Sequence, residues 1–296
     1  MSVQKGNKQL QRGAAIAVDF LNDDDDVPEL SLASAVAKQA ENQASAQPGV
    51  DLSDKPKIIF FIGRGKTGKT TAIRWVAERS VATGRPMLMV DMDPTNGTFA
   101  AYFAGVARLA DPSNPALALK WLNKLIQHAL ETKSSMLVDL GGGDTVLRRL
   151  IGETPDLVQM IEAAGSALVV FYTTGPNEED LSPLRTMTSI GFAPSGAAIL
   201  LNEGLVELGE TREGAFSRIF RHSATREAIE KGAVIVWMPR LIPAQQIEIR
   251  RLGFQEAVDG QTGQAKTPLG PFDRSRTYHW LRAMDINFKG IETWLP

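Results

Sequence analysis

The chain contains no cysteine. That excludes disulfides, thiolate zinc sites and a cysteine nucleophile. Histidine is scarce: the three present, His128, His222 and His279, lie too far apart in sequence to read as a metal-ligand motif. No apolar run approaches the roughly 20 residues that cross a bilayer, and the start, "MSVQKGNKQLQRG", lacks the apolar core of a signal peptide. A cytoplasmic protein is the simplest expectation.

What is present points to a soluble α/β chain. At 43% hydrophobic and 22% charged residues, 296 residues can bury a sizeable core. The net charge of −2 is uneven: residues 1–56 carry −4 and the remainder +2. That balance argues against a domain that coats nucleic acid by bulk charge.

Residues 1–55 read as a flexible acidic and polar arm. They hold "NDDDD" and "ASAVAKQAENQASAQPG", with at most a short helix over residues 29–45 on a weak Leu30, Leu32, Ala33 and Val36 stripe. From Lys57, continuously apolar runs alternate with helix-like segments: "KIIFFIG", "PMLMVDMD", "SSMLVDL", "SALVVFYTT", "GAAILLNEG" and "AVIVWMP". Continuous rather than alternating strands mean that both sheet faces are covered. The spacing predicts about six strands in a doubly wound, mostly parallel sheet over residues 56–254. Residues 255–296 form a C-terminal extension, in which Trp280, Phe288, Ile291 and Trp294 are expected to pack on the core or on a second copy.

The chemistry starts at residues 63–70. Gly63, Arg64, Gly65, Lys66, Thr67, Gly68, Lys69 and Thr70 satisfy G-x-x-x-x-G-K-[ST], directly after a predicted strand and before a predicted helix. Glycines let backbone N–H groups turn inward around phosphates, and the helix start at Thr70 and Thr71 adds partial positive charge. In such a loop Lys69 reaches the terminal phosphates and the Thr70 hydroxyl holds Mg²⁺. Two further strands end in carboxylates: Asp91 and Asp93 in "MLMVDMDP", and Asp139 in "MLVDLGGGD", placed like a Walker B aspartate. Thr70, Asp139 and Asp91 are the expected metal ligands. Glycines after Asp139 would let a loop approach a γ-phosphate.

Together these segments resemble the ParA/MinD group of deviant Walker ATPases, which position plasmids, chromosomes and other cargo. The family loop K-G-G-x-G-K-[ST] aligns with residues 64–70, and "VDMDPTNGT" is similar to the family's D-x-D-P-Q-G-N segment. "AILLNEG" and "VIVWMPRLIPAQQ" are similar to the strands that flank the base. The resemblance spans roughly residues 57–252. It implies ATP and Mg²⁺ as cofactors, Asp93 orienting the attacking water, and Asn202 with Pro239 and Arg240 at the adenine. It also implies a homodimer closed by ATP, an activating protein partner, and a role in partition or conjugation of DNA or another cargo.

The departures bear on mechanism. Arg64 replaces the family's signature lysine, which reaches into the partner's site. Arginine keeps the charge in a planar fork, so action in trans is the expectation, alongside the plainer reading of a surface arginine. Lys66 replaces a glycine, and the segment after Asp139 lacks the usual proline. The guanine signature N-K-x-D is absent at "LLNEGL", which favours ATP.

Arg218, Arg221, Arg226, Arg240, Arg250 and Arg251 form a candidate patch for non-specific DNA contact, balanced by Glu213, Glu227, Glu230 and Glu248. The ending "MDINFKGIETWLP" has too few cations for a membrane-surface helix, so membrane binding is not expected. Two other readings of the same fold stay open: an ATP-dependent small-molecule ligase or kinase, and a nucleotide-binding scaffold with weak turnover.

Overall fold

The computed structural model describes residues 49–85, 87–93, 99–103, 105–108, 114–140 and 145–296. The acidic run, the short helix expected over residues 29–45, residues 94–98 of the Asp93 segment and the glycines after Asp139 lie outside them.

Seven strands are described: β1 (Lys57–Ile62), β2 (Met87–Asp91), β3 (Ala107–Arg108), β4 (Ser135–Asp139), β5 (Ala167–Thr174), β6 (Gly196–Asn202) and β7 (Val234–Met238). They form one sheet in the order β3-β2-β4-β1-β5-β6-β7, and every pair is parallel. The two-residue edge strand β3 is the one that the apolar pattern did not foresee. Parallel pairing puts all carboxyl ends on one edge. The chain leaves β1 toward β2 and leaves β5 toward β6 in opposite directions, which opens a crevice at the end of β1.

Helices cover both faces. One face carries α1 (Lys69–Ala82), α9 (Ala244–Arg250), α10 (Phe254–Asp259) and α11 (Pro271–Phe288). The other carries α2 (Pro115–Glu131), α3 (Thr145–Glu153), α4 (Leu157–Ala163), α5 (Ser182–Ser189), α6 (Arg212–Ala215), α7 (Ser217–Arg221) and α8 (Ser223–Glu230). Strand alternation sorts side chains between the layers: Ile58, Phe60 and Ile62 face the α2–α8 layer, while Ile59 and Phe61 face α1. All six residues of β1 are therefore buried, which is why residues 58–62 are continuously apolar.

The C-terminal segment is built into the α1 face. Thr277, Trp280, Met284, Asn287 and Phe288 recur at helical spacing along the buried side of α11. Phe61 stacks on Phe171 at 4.7 Å, Phe171 meets Phe288 at 6.0 Å, and Phe288 meets Trp75 of α1 at 4.6 Å. Ile291 and Trp294 are buried in the same cluster, and the Trp294 indole N–H donates to Val50 O at 2.7 Å. No helix among the described residues is long and apolar enough to cross a membrane.

Candidate nucleotide site

The turn from β1 into α1 is shaped by what surrounds it. At Gly63 a Cβ atom would lie 2.2 Å from Thr173 Oγ1, and at Gly68 it would lie 2.5 Å from Asn202 Nδ2 and 2.6 Å from Met238 Cε. Gly68 also has a φ of 97°, in the left-handed region that favours glycine. The loop is closed by side chains. Lys69 Nζ donates to Gly63 O and Arg64 O, both at 2.8 Å, and the Thr67 hydroxyl donates to Arg64 O at 2.9 Å. Asn202 Nδ2 donates to Thr67 O at 3.0 Å. The first turn of α1 has no acidic residue and no side-chain cap, so its N–H groups and dipole bear on the loop undiminished. Thr70 and Thr71 lie half-buried in that turn, and Gly65 is open to solvent.

The two other cations of the loop, Arg64 and Lys66, are both exposed. Lys66 occupies the left-handed region at φ 68°, where a glycine would carry no penalty from Cβ. Arg64 Nη1 binds Glu179 Oε2 at 2.7 Å and lies 3.8 Å from Asp180 Oδ1.

Sheet register brings the carboxylates together. Asp139 pairs with Phe61 on one side and with Asp91 on the other, so both aspartates share the α1 face at the carboxyl edge. Both are buried. Asp91 braces the next segment: Oδ1 accepts the Asp93 N–H and Oδ2 the Ala100 N–H, each at 3.0 Å. Asp93 is thereby fixed at the exit of β2. Burial lowers the pKa of the Lys69 ammonium, and the charges of Asp139 and Asp93 pull it back toward its usual range.

Beside the loop is a cavity of about 410 Å³ lined by Thr71, Asn202, Leu205, Met238, Pro239 and Arg240, among others, with no carboxylate among its lining residues. Asn202 spends its side chain on backbone, since Oδ1 accepts the Gly204 N–H at 2.8 Å while Nδ2 holds the loop. Arg240 Nη2 donates to Val206 O. Trp280 Nε1 donates to Pro239 O at 2.8 Å, and Asn287 Nδ2 to Trp237 O at 2.9 Å, so α11 anchors the wall that follows β7.

The structure thus brings Lys69, Thr70, Thr71, Asp91, Asp93, Asp139, Asn202, Pro239 and Arg240 to one edge of the sheet. Strand, loop and helix together form a P-loop nucleotide-binding fold. The donor set fits a magnesium nucleotide: the helix start and Lys69 suit phosphates, and one or two carboxylates with a hydroxyl suit an ion that keeps water and phosphate ligands. Among the described residues no group of three or more His, Cys, Asp or Glu is placed to hold a metal ion.

No protein-family model matches the chain, and no curated protein matches it at a significant level. Among solved structures the chain is similar to chloroplast FtsY from Physcomitrella patens, with a TM-score of 0.42 and 14% identity over 85% of this chain and 74% of that one. It is also similar to FtsY from Mycoplasma mycoides (TM-score 0.41, 12% identity, 85% and 77%). A third is the signal recognition particle receptor FtsY from Elizabethkingia anophelis, in complex with GDP (TM-score 0.39, 14% identity, 69% and 65%). At such scores the likeness bears on neither nucleotide nor partner, and the assignment rests on the residues of the site.

Several residues at the site carried no motif. Thr173 packs against Gly63 and lies 2.8 Å from the Thr67 hydroxyl; its one sequence signal is a polar pair ending the apolar run "ALVVFYTT". Glu179 and Asp180 lie in a charged turn with no signature. The arginines expected to form a surface patch are not gathered on one layer. Arg218, Arg221 and Arg226 belong to the α2–α8 layer, Arg250 to the α1 face, and Arg240 to the cavity.

Proposed function

We propose that the chain is a Mg²⁺-dependent ATPase switch of the ParA type, which dimerises on ATP and serves in the partition, transfer or localisation of DNA or another large cargo. One observation carries the reading. A complete phosphate loop is held by Asn202, which also lines an adjacent cavity free of carboxylates. Guanine offers an N–H and an amino group that carboxylates recognise, whereas adenine is satisfied by backbone groups and apolar walls. The cavity therefore favours ATP.

In this reading Lys69 and the α1 N-terminus bind the phosphates, and Thr70 with Asp139 holds the ion, which neutralises charge developing on the phosphate oxygens. Asp91 acts through Asp93 by fixing its backbone. Asp93 orients a water whose oxygen attacks the γ-phosphorus; the bond to the bridging oxygen breaks, ADP leaves with its electron pair, and the proton lost by the water passes to the phosphate product or to solvent. Arg64 completes the site of a second copy. For that it must leave Glu179, an exposed pairing worth only about 0–1 kcal/mol.

The deciding experiment is the solution mass with no nucleotide, with Mg·ADP and with Mg·ATP. A dimer with Mg·ATP alone supports the switch. A mass that never changes, in protein that binds ATP, overturns it.

A further inference from the structure

Arg74, on α1, is buried, and the site described above makes no use of it. Its guanidinium lies between two rings, 3.4 Å from the Tyr102 centroid and 4.5 Å from that of Phe254. Arg74 Nη2 donates to Leu252 O at 2.8 Å. Glu78, one turn on, accepts the Phe254 N–H at 2.7 Å and stands 4.0 Å from Arg74. Arg74 Nε and Glu78 Oε1 are buried without a hydrogen-bond partner among the described residues.

Such a site is costly. A buried charge with an unfilled donor destabilises the fold, and an apolar side chain of similar volume would generally be more favourable. Only a planar cation stacks between two rings and donates in its own plane, so the arrangement is specific to arginine.

Three elements meet at Arg74, and each has its other end at the nucleotide site. Helix α1 starts at Lys69. Asp91 binds the N–H groups of both Asp93 and Ala100, and Tyr102 lies two residues beyond Ala100. Helix α9 starts at Ala244 on the cavity and ends at Arg250, capped by Arg251 in the left-handed region at φ 50°, next to Leu252. We propose that Arg74 is a positioning residue that clamps residues 99–103, through Tyr102, to the end of α9, so that the hydrolytic and base-binding sides of the site are held in one arrangement. This rests on the nucleotide-hydrolase reading above.

Three variants test it in the full-length protein: Tyr102→Leu removes the ring, Tyr102→Phe keeps it, and Arg74→Lys keeps the charge without the plane. Amide hydrogen exchange over residues 100–103, without nucleotide, reads the clamp directly. It is expected to rise about tenfold in Tyr102→Leu and Arg74→Lys and to stay near wild type in Tyr102→Phe. With ATP, the first two are expected to lose about tenfold in kcat with KM within threefold, and Tyr102→Phe to keep its turnover. Unchanged exchange in Tyr102→Leu overturns the clamp. Faster exchange with unchanged kcat overturns its link to hydrolysis. A wild type that neither binds nor hydrolyses nucleotide sinks the hydrolase reading and with it that link, while exchange still decides the clamp.

Discussion

Arg64 and Glu179 stand 115 residues apart in sequence and are joined by an ion pair of 2.7 Å, with the two side chains 45% and 80% exposed. The residue expected to act on a second copy is therefore held by its own chain, through a contact that solvent screens well. Arg64→Ala should leave the melting temperature within about 2 °C of wild type, because exposed pairs contribute at most about 1 kcal/mol. It should keep the ATP-dependent dimer and lose about a hundredfold or more in turnover, since a finger supplied in trans is worth at least that. Light scattering and a phosphate-release assay together check this. Loss of the dimer would instead make Arg64 an interface residue.

Lys69 should govern affinity without governing the fold. Lys69→Met keeps the stem but gives up both hydrogen bonds to the loop. Binding of a fluorescent ATP analogue is expected to weaken about a hundredfold, with the circular dichroism spectrum unchanged.

Base preference follows from the cavity wall. With no carboxylate lining it, the cavity should bind ATP at least about tenfold more tightly than GTP. Competition titration against the same analogue measures the ratio. A preference for GTP would contradict the cavity assignment.

The loop backbone offers a test on each side of the glycine question. Lys66→Gly relieves a left-handed lysine and should stabilise the protein by up to about 1 kcal/mol in urea unfolding. Gly68→Ala should do the reverse, since it adds a Cβ 2.5 Å from Asn202 Nδ2 at a φ of 97°. A loss of about 2 kcal/mol or more, with weakened nucleotide binding, is expected.

Glu78 gives the fold a pH dependence. Burial raises its pKa to about 7, and the charge of Arg74 and the Phe254 N–H offset only part of that, while Glu256 adds to the rise. The folded state therefore holds a proton that the unfolded chain releases near 4.5. The resulting stability is fully present below pH 4.5 and is lost as pH rises toward 7. Glu78→Gln should flatten that slope, by roughly 3 kcal/mol across the window. Urea unfolding at pH 5 and pH 7.5 for both proteins reads it out.

The phosphate loop was legible because its requirements are local: a strand, a tight turn, a lysine and a helix start, all within a few residues of one another. The parallel sheet was legible for a related reason, since strands buried on both faces read as apolar runs. The short strand β3 was not, because two residues cannot carry a pattern. Arg74, Thr173 and Trp280 escaped notice because their roles come from partners far away in sequence, which no motif encodes. Asp91 shows the limit from another side: its place was readable, but its bonds to Asp93 and Ala100 appear only once the chain turns back on it.

The bond from Asn202 to Thr67 spans 135 residues. At ordinary elongation rates of about 5–20 residues per second, roughly 7 to 27 seconds separate the synthesis of the loop from that of the side chain that holds it. During that interval the nascent loop has neither its brace nor the far wall of its cavity. Nucleotide capture is thus deferred until nearly the whole sheet has emerged from the ribosome. A chain arrested before β7 should emerge with its glycine turn made but without affinity for nucleotide.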